Sequence, residues 1–507
     1  MTAARHRLTM LAVAAIVAAN CTIAPYQPDP FDPSFRVPVG SGLETPAGHA
    51  AAPAPTNPRP QPTHALVLDE VLAAVTRHYP PYLSALLERD LASGRLRQAM
   101  GGFDTQAVAK LGNTVQGYYE ATSLEALLEQ PLGTGDTVYG GYRVSDGFLP
   151  DYDKRRTQDD GELVLGGRLP LLRDRSIDRA RANVRQARID VELADPVIAR
   201  ARVDFVRSAA RTYYTWVAAG QRLGIARELL RLASDRVDAI RAAVERQFLA
   251  PIDVDDNQRL IAQRQVTVVR AERLLQQAAL ELSLFLRDGD DTPIVPDPQR
   301  LPSTLDAPTA WQPPSLAADT ELAMRQRPEL RRFQLAIART ETDRALAENQ
   351  TLPELDIVVE ASRSLGDGPY SDRTAEQLFV GGELKWPLQQ RDARGRLEQA
   401  TAQLSRLQLE AQFARDRVVN EIADVHSALQ AAIGQIDAAR QNAELADRLV
   451  GAEQRAYELG RSDLFRIQVR EAQLAEAKGQ QVDAVLDWYR AMADYRAALA
   501  TDAVVAR

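Results

Sequence analysis

Cysteine, histidine and aromatic residues are all scarce in this sequence, and each shortage removes a class of protein. A single cysteine, Cys21, in 507 residues rules out an internal disulfide framework. The five histidines (His6, His49, His64, His78 and His426) are scattered, and none pairs at helical metal-ligand spacing. The patterns HExxH, GxSxG and the phosphate loop are missing, so we expect no catalytic residue, no cofactor and no metal: the chain is not an enzyme. Aromatics make up 6% of the residues, too few for an enzyme built around an aromatic-lined pocket. Sixty-one basic residues against sixty-nine acidic ones give a net charge of -8, without the basic surplus of a dedicated nucleic-acid binder.

What is plentiful is Ala, Leu, Arg, Glu and Gln, the composition of long helices packed side by side. The first twenty residues read as an export signal: Arg5, His6 and Arg7 precede LTMLAVAAIVAA (8–19), which is too short to span a bilayer. Cys21 follows at once and has two readings. In one it is the lipid-modified first residue of a bacterial lipoprotein, for which Ala18 and Ala19 suit the processing box. In the other it stands incidentally near an ordinary cleavage site, and Asn20 departs from that box. Residues 21–65 form a proline-rich linker that cannot build a core.

From Leu66 the chain falls into two repeats, 66–287 and 316–500, joined by a second proline-rich linker, 288–315, and followed by a short tail, 501–507. In the first repeat Trp216, Ala219, Leu223, Ala226, Leu230, Ala233, Val237, Ile240 and Val244 alternate spacings of three and four, the seam of a coiled-coil-like helix. Adding 213 gives Leu429, Ala432, Ile436, Ala439, Ala443, Ala446, Val450, Glu453 and Tyr457, in which only Glu453 breaks the seam. The same offset carries Gln247 onto Gly460, so helix, turn and next helix share one register. Residues 392–459 contain no proline, and a continuous helix there reaches roughly 100 Å. Its counterpart contains Pro196, which should kink or break it. DGDD (288–291) reads as a solvated loop rather than a metal site.

Strands precede each long helix. In ELDIVVEAS (354–362) Leu355, Ile357, Val359 and Ala361 alternate with Glu354, Asp356 and Glu360. EQLFVGGELKW (376–386) alternates likewise, GELVLGGRLPL (161–171) resembles it down to the paired glycines, and VYGGYRVSDG (138–147) is the partner of the latter. In an exported protein such strands suit a barrel with apolar residues toward lipid and polar ones toward the lumen. Four strands per chain cannot close one, so this reading requires an oligomer. Residues 104–131 also look strand-like, either as an extra hairpin or as a connection from helix to barrel.

This order of elements resembles the TolC-like outer-membrane efflux proteins from about Leu66 to Leu499. CTIAPYQPDP (21–30) resembles the start of the family's lipoprotein members, and RPEL (327–330) and YELGRSDLFRIQVREAQL (457–474) resemble recurring family stretches. The resemblance implies a mainly α fold with a β part. Duplicated helical hairpins from a homotrimer would form an α-barrel tunnel, and at least four strands per chain would enter one shared β-barrel. It implies residence in the outer membrane of a Gram-negative bacterium with the helices in the periplasm, among outer-membrane lipid. Its partners would be a periplasmic adaptor and an inner-membrane transporter, for which the channel-tunnel would be the passive exit in efflux or type I secretion.

In the family the far helical turns form the periplasmic mouth, with carboxylates six and nine residues after the turn glycine. From Gly460 those positions hold Arg466 and Val469; from Gln247 they hold Asp253 and Asp256, which share one helix face. We therefore expect a gate of Asp253 or Asp256 against Arg461 or Arg466, with Tyr457 as a further hydrogen-bonding group. The alternative is that Asp253, Asp255 and Asp256 only favour the positive end of the following helix. The resemblance places adaptor contacts at Gln247, Phe248, Leu249, Gly460 and Ser462. A competing reading is a periplasmic adaptor or coiled-coil scaffold with no pore of its own, but adaptors lack lipid-facing strand pairs.

Overall fold

A computed structural model describes residues 64–502 apart from 119, 150–155, 248, 308–314, 367 and 369–374. The export segment, Cys21 and its possible lipidation, and Phe248 lie outside the described residues. The first repeat opens with α1 (Leu68–His78), α2 (Pro80–Leu86) and α3 (Glu88–Met100), then strands β1 (Gln106–Thr114), β2 (Ala121–Pro131), β3 (Thr137–Gly147) and β4 (Glu162–Pro170). It closes with α4 (Arg179–Asp235), α5 (Val237–Glu245) and α6 (Ile252–Ser283). The second repeat runs through α7 (Leu316–Gln326), α8 (Pro328–Asn349), β5 (Glu354–Ser364), β6 (Glu376–Lys385), α9 (Arg391–Glu458) and α10 (Leu464–Leu499).

The strands form one antiparallel sheet in the order β1-β2-β3-β4-β5-β6, so residues 104–131 contain an extra hairpin and the described residues supply six strands. The two repeats meet in the sheet at β4 and β5, where Leu165 faces Ala361 and Leu169 faces Ile357. The paired glycines have a steric reason on one side of the sheet. The Tyr139 ring lies across Gly166, where any Cβ would overlap it, and its hydroxyl donates to Glu360 at 2.8 Å.

The helices bury their small and branched residues in two matching cores. In the first, Val71, Val75, Trp216, Leu223, Leu275 and Leu282 are buried together; in the second, Ile422, Leu429, Ile436, Val485, Trp488 and Leu499. At the offset of 213, Trp216 corresponds to Leu429 and Leu275 to Trp488, so each core holds one Trp and one Leu with the helices exchanged. Such swaps preserve volume, which is what a packed core demands. The long helices of the two repeats also pack on one another: α4 lies against both α8 and α10. Arg207 and Arg211 reach Asp494 at 2.7 and 2.8 Å, and Tyr214 stacks on Tyr489 with ring centroids 3.9 Å apart.

One expectation needs correction: Pro196 does not break α4, which runs through it for 57 residues. The lost backbone bond there is offset by tertiary packing, since α3 and α8 both flank this helix. The interruption comes instead at Arg236, between α4 and α5, whereas α9 continues unbroken for 68 residues, or about 102 Å.

Candidate functional site

The hairpin tips bear out the duplicated turn in their backbone. Gln247 has φ 64° and Gly460 has φ 69°, so the residues matched by the 213 offset occupy the same left-handed conformation. Only glycine adopts that region without steric penalty. Around the tips, large apolar side chains stand in solvent: Ile252 is 61% exposed, Leu459 69% and Phe465 72%. Gln247 and Gly460 are exposed too, while Leu249 and Ser462 are half-buried. Glu453, the one break in the seam, accepts a hydrogen bond from Ser462 and pairs with Arg470 at 3.7 Å.

Within one copy of the chain Asp253, Asp256 and Arg466, expected at the gate, find local partners. Asp253 accepts from the Ala250 amide at 2.9 Å, and Asp256 faces Arg259 one turn on at 3.7 Å. Asp463 caps α10 by accepting from the Arg466 amide at 2.8 Å, and the Arg466 guanidinium is 3.6 Å from the same carboxylate. Arg461 is exposed, and the Tyr457 carbonyl accepts from the Gly460 amide at 2.9 Å. Among the described residues, no ion pair joins Asp253 or Asp256 to Arg461 or Arg466 in a single copy.

A different charged cluster does join the hairpins, and the sequence reading missed it. Glu471 on α10 is fully buried and pairs with both Arg236 and Arg264, the latter at 3.1 Å. Arg264 also donates to the Leu229 carbonyl at 2.5 Å, and Asn257 donates to the Ala233 carbonyl at 3.1 Å. Burial lowers both guanidinium pKa values; for Arg264 the neighbouring charge of Arg236 adds to the effect and brings it to about 10. Both groups therefore stay charged at neutral pH, held by one carboxylate. Arg236 and Glu471 each lie eleven residues from their turn residue, about 17 Å along the helices from the tips. The repeat register carries the missed signal: the counterparts of Arg236, Arg264 and Glu471 are Leu449, Ala477 and Gln258, all uncharged.

At the other end of the molecule the sheet sorts its residues by face. One face carries Leu163, Leu165, Leu169, Leu378, Val380 and Leu384, of which all six are exposed in the single chain. The opposite face carries a ladder of ion pairs. Arg143 pairs with Glu162 and with Glu360 (2.8 Å), Arg168 donates to Asp356 (2.7 Å), and Lys385 pairs with Glu383 (2.8 Å). An apolar face left to solvent opposite a satisfied polar face is the pattern of a barrel wall between lipid and water. No helix among the described residues is long and apolar enough to cross a membrane.

An outward-apolar sheet joined to helical hairpins of this length is the architecture that a barrel wall continued by a long helical tunnel requires. Residues 320–501 match the family model described as outer membrane efflux protein, and the chain shares its fold with solved outer-membrane channels. The fold matches a membrane protein of Pseudomonas aeruginosa at TM-score 0.62 and 18% identity, covering 85% of this chain and 90% of that one. It also matches the Vibrio cholerae outer membrane protein VceC (TM-score 0.61, 14% identity, 85% and 96% covered). The open state of the Neisseria gonorrhoeae MtrE outer membrane channel matches at TM-score 0.62 and 15% identity, with 85% and 88% covered. No curated protein sequence matches the chain.

Proposed function

We propose that three copies of this chain form a passive exit duct across the outer membrane, fed by an inner-membrane transporter through a periplasmic adaptor. The observation that carries this reading is the sheet, with its exposed apolar face and its ion-paired polar face, joined to helices of about 100 Å. The exposed Ile252, Leu459 and Phe465 at the tips support an adaptor contact there together with Gln247, Phe248, Leu249, Gly460 and Ser462. Such apolar groups in solvent are the usual anchors of a protein interface. Lipidation of Cys21 would add an anchor in the same membrane. The acid-base gate is a contact between copies in this reading: Asp253 and Asp256 of one copy face Arg461 or Arg466 of the next, with Tyr457 beside them.

Membrane fractionation followed by an unheated denaturing gel tests the duct. A trimer in the outer-membrane fraction that dissociates only on heating is the expected result, and a soluble monomer would reject it. Mass spectrometry of the mature N-terminus decides the state of Cys21.

A further inference from the structure

The sheet edges carry a second inference, which rests on the trimeric-duct reading. β1 is exposed along nearly its whole length, and so is β6, which leaves the chain with two open edges. Open edges of this length pair with something or aggregate. Because β1 and β6 run in opposite directions, the edge of one copy can continue the antiparallel ladder of another.

The first hairpin has the properties of barrel wall rather than of an appendage. Its strands hold 9 and 11 residues, the length that crosses the hydrocarbon layer when tilted. Both of its faces continue those of the other four strands. Ala109 and Leu111 pair with Ala126 and Leu124, and these pair with Tyr142 and Val144 on the apolar side. On the polar side, Lys110 pairs with Glu125 at 3.6 Å, next to the Arg143, Glu162 and Glu360 ladder.

We propose that β6 of one copy pairs with β1 of the next, so that three copies of six strands close an eighteen-stranded barrel. Barrel diameter grows roughly in proportion to strand number. The mouth in the outer membrane is then about one and a half times as wide as β3–β6 alone would make it. The partner surface is a second copy of this chain, and the seam is β6 against β1 rather than β6 against β3.

Paired cysteines in a Cys21→Ser background test the seam. Ala107, Ala109 or Leu111 on β1 is changed to Cys together with Leu378, Val380 or Leu384 on β6, which samples the possible registers. A control set places Cys at Val138 on β3 with the same β6 positions. The heat-dissociable trimer is isolated first, then oxidised and run under denaturing conditions. At least one β1–β6 pair should give a covalent trimer, and the β3–β6 pairs should give none. Crosslinking of β3 to β6, or intact trimers with no β1–β6 crosslink, overturns the eighteen-stranded seam and leaves the duct standing. Failure to recover a membrane trimer sinks the duct itself, and the seam with it.

Discussion

Replacing Glu471 by Gln should loosen the two helical hairpins where they are tied together. The carboxylate is fully buried and pairs with Arg236 and Arg264 at once, so the variant leaves two guanidinium groups facing a neutral amide. Losing the attraction of that carboxylate for both guanidiniums, as when one partner of a buried ion pair is removed, costs about 3–5 kcal/mol. An assembly of this size does not unfold in one step, and a melting temperature is the wrong readout. Amide hydrogen exchange resolves local opening. In Glu471→Gln, protection across 229–240 and 464–475 should fall by about 150- to 5,000-fold, the equivalent of that energy. The triple variant Arg236→Leu, Arg264→Met, Glu471→Leu should recover most of the protection, because apolar replacements of buried ion clusters are often neutral or better. A loss below about fivefold in Glu471→Gln, or a triple variant worse than the single one, would refute the clamp.

If the tips carry the gate, Asp253→Ala and Arg466→Ala should each raise single-channel conductance in planar bilayers; unchanged conductance in both would end that hypothesis. At the left-handed turn positions, Gln247→Gly should stabilise the first hairpin by about 1 kcal/mol and Gly460→Ala should destabilise the second by a similar amount. No neighbour lies within 4 Å of a Cβ at Gly460, so the backbone alone sets that cost, and exchange rates at the tips measure it. Burial pushes the Tyr213 phenol from 10.0 up to about 12. Its stabilising contribution is complete below pH 10 and is lost as pH rises through 12; Tyr213→Phe should therefore flatten alkaline unfolding by about 2 kcal/mol across that window. Burial raises the Glu329 pKa, but the hydrogen bond and charge of Arg327 outweigh it and leave the group below its ordinary value of 4.5. Stability from that pair is present above pH 4.5 and lost as pH falls below it, and Arg327→Met should abolish this acid-side dependence in far-UV circular dichroism.

The repeat was legible because its offset survives without a gap through a turn, where chance similarity between Ala-rich helices would fail. The shared left-handed φ of Gln247 and Gly460 gives that register a physical meaning, and the Gln in place of Gly hid half of it. RPEL was visible only as a recurring stretch. Its Arg327 proves to be buried, donating to the Ala498 carbonyl at 2.6 Å and pairing with Glu421 at 2.8 Å. The β1–β2 hairpin stayed ambiguous because Ala107, Ala109 and Gly112 supply little of the hydrophobic contrast that marks a strand. The triad was hidden for a different reason: in helices crowded with Arg and Glu, nothing local distinguishes a buried charge from a solvated one. Within one chain Asp253, Asp256 and Arg466 meet only local partners, so the expected pairing of acid with base across the two turns has no counterpart there.

The interleaving of the repeats limits how the duct can move. Because α4 is wedged between α8 and α10, and β4 is bonded to β5, the proline-rich stretch between the repeats joins units already locked along their length. It cannot serve as a pivot. A rigid rotation of one repeat against the other would tear the Arg207–Asp494 and Tyr214–Tyr489 contacts together. Motion confined to the tips beyond Glu471 spares them. If the tips gate a pore, opening would have to proceed by shear, with helices sliding past one another over their last turns while the helices above stay stationary.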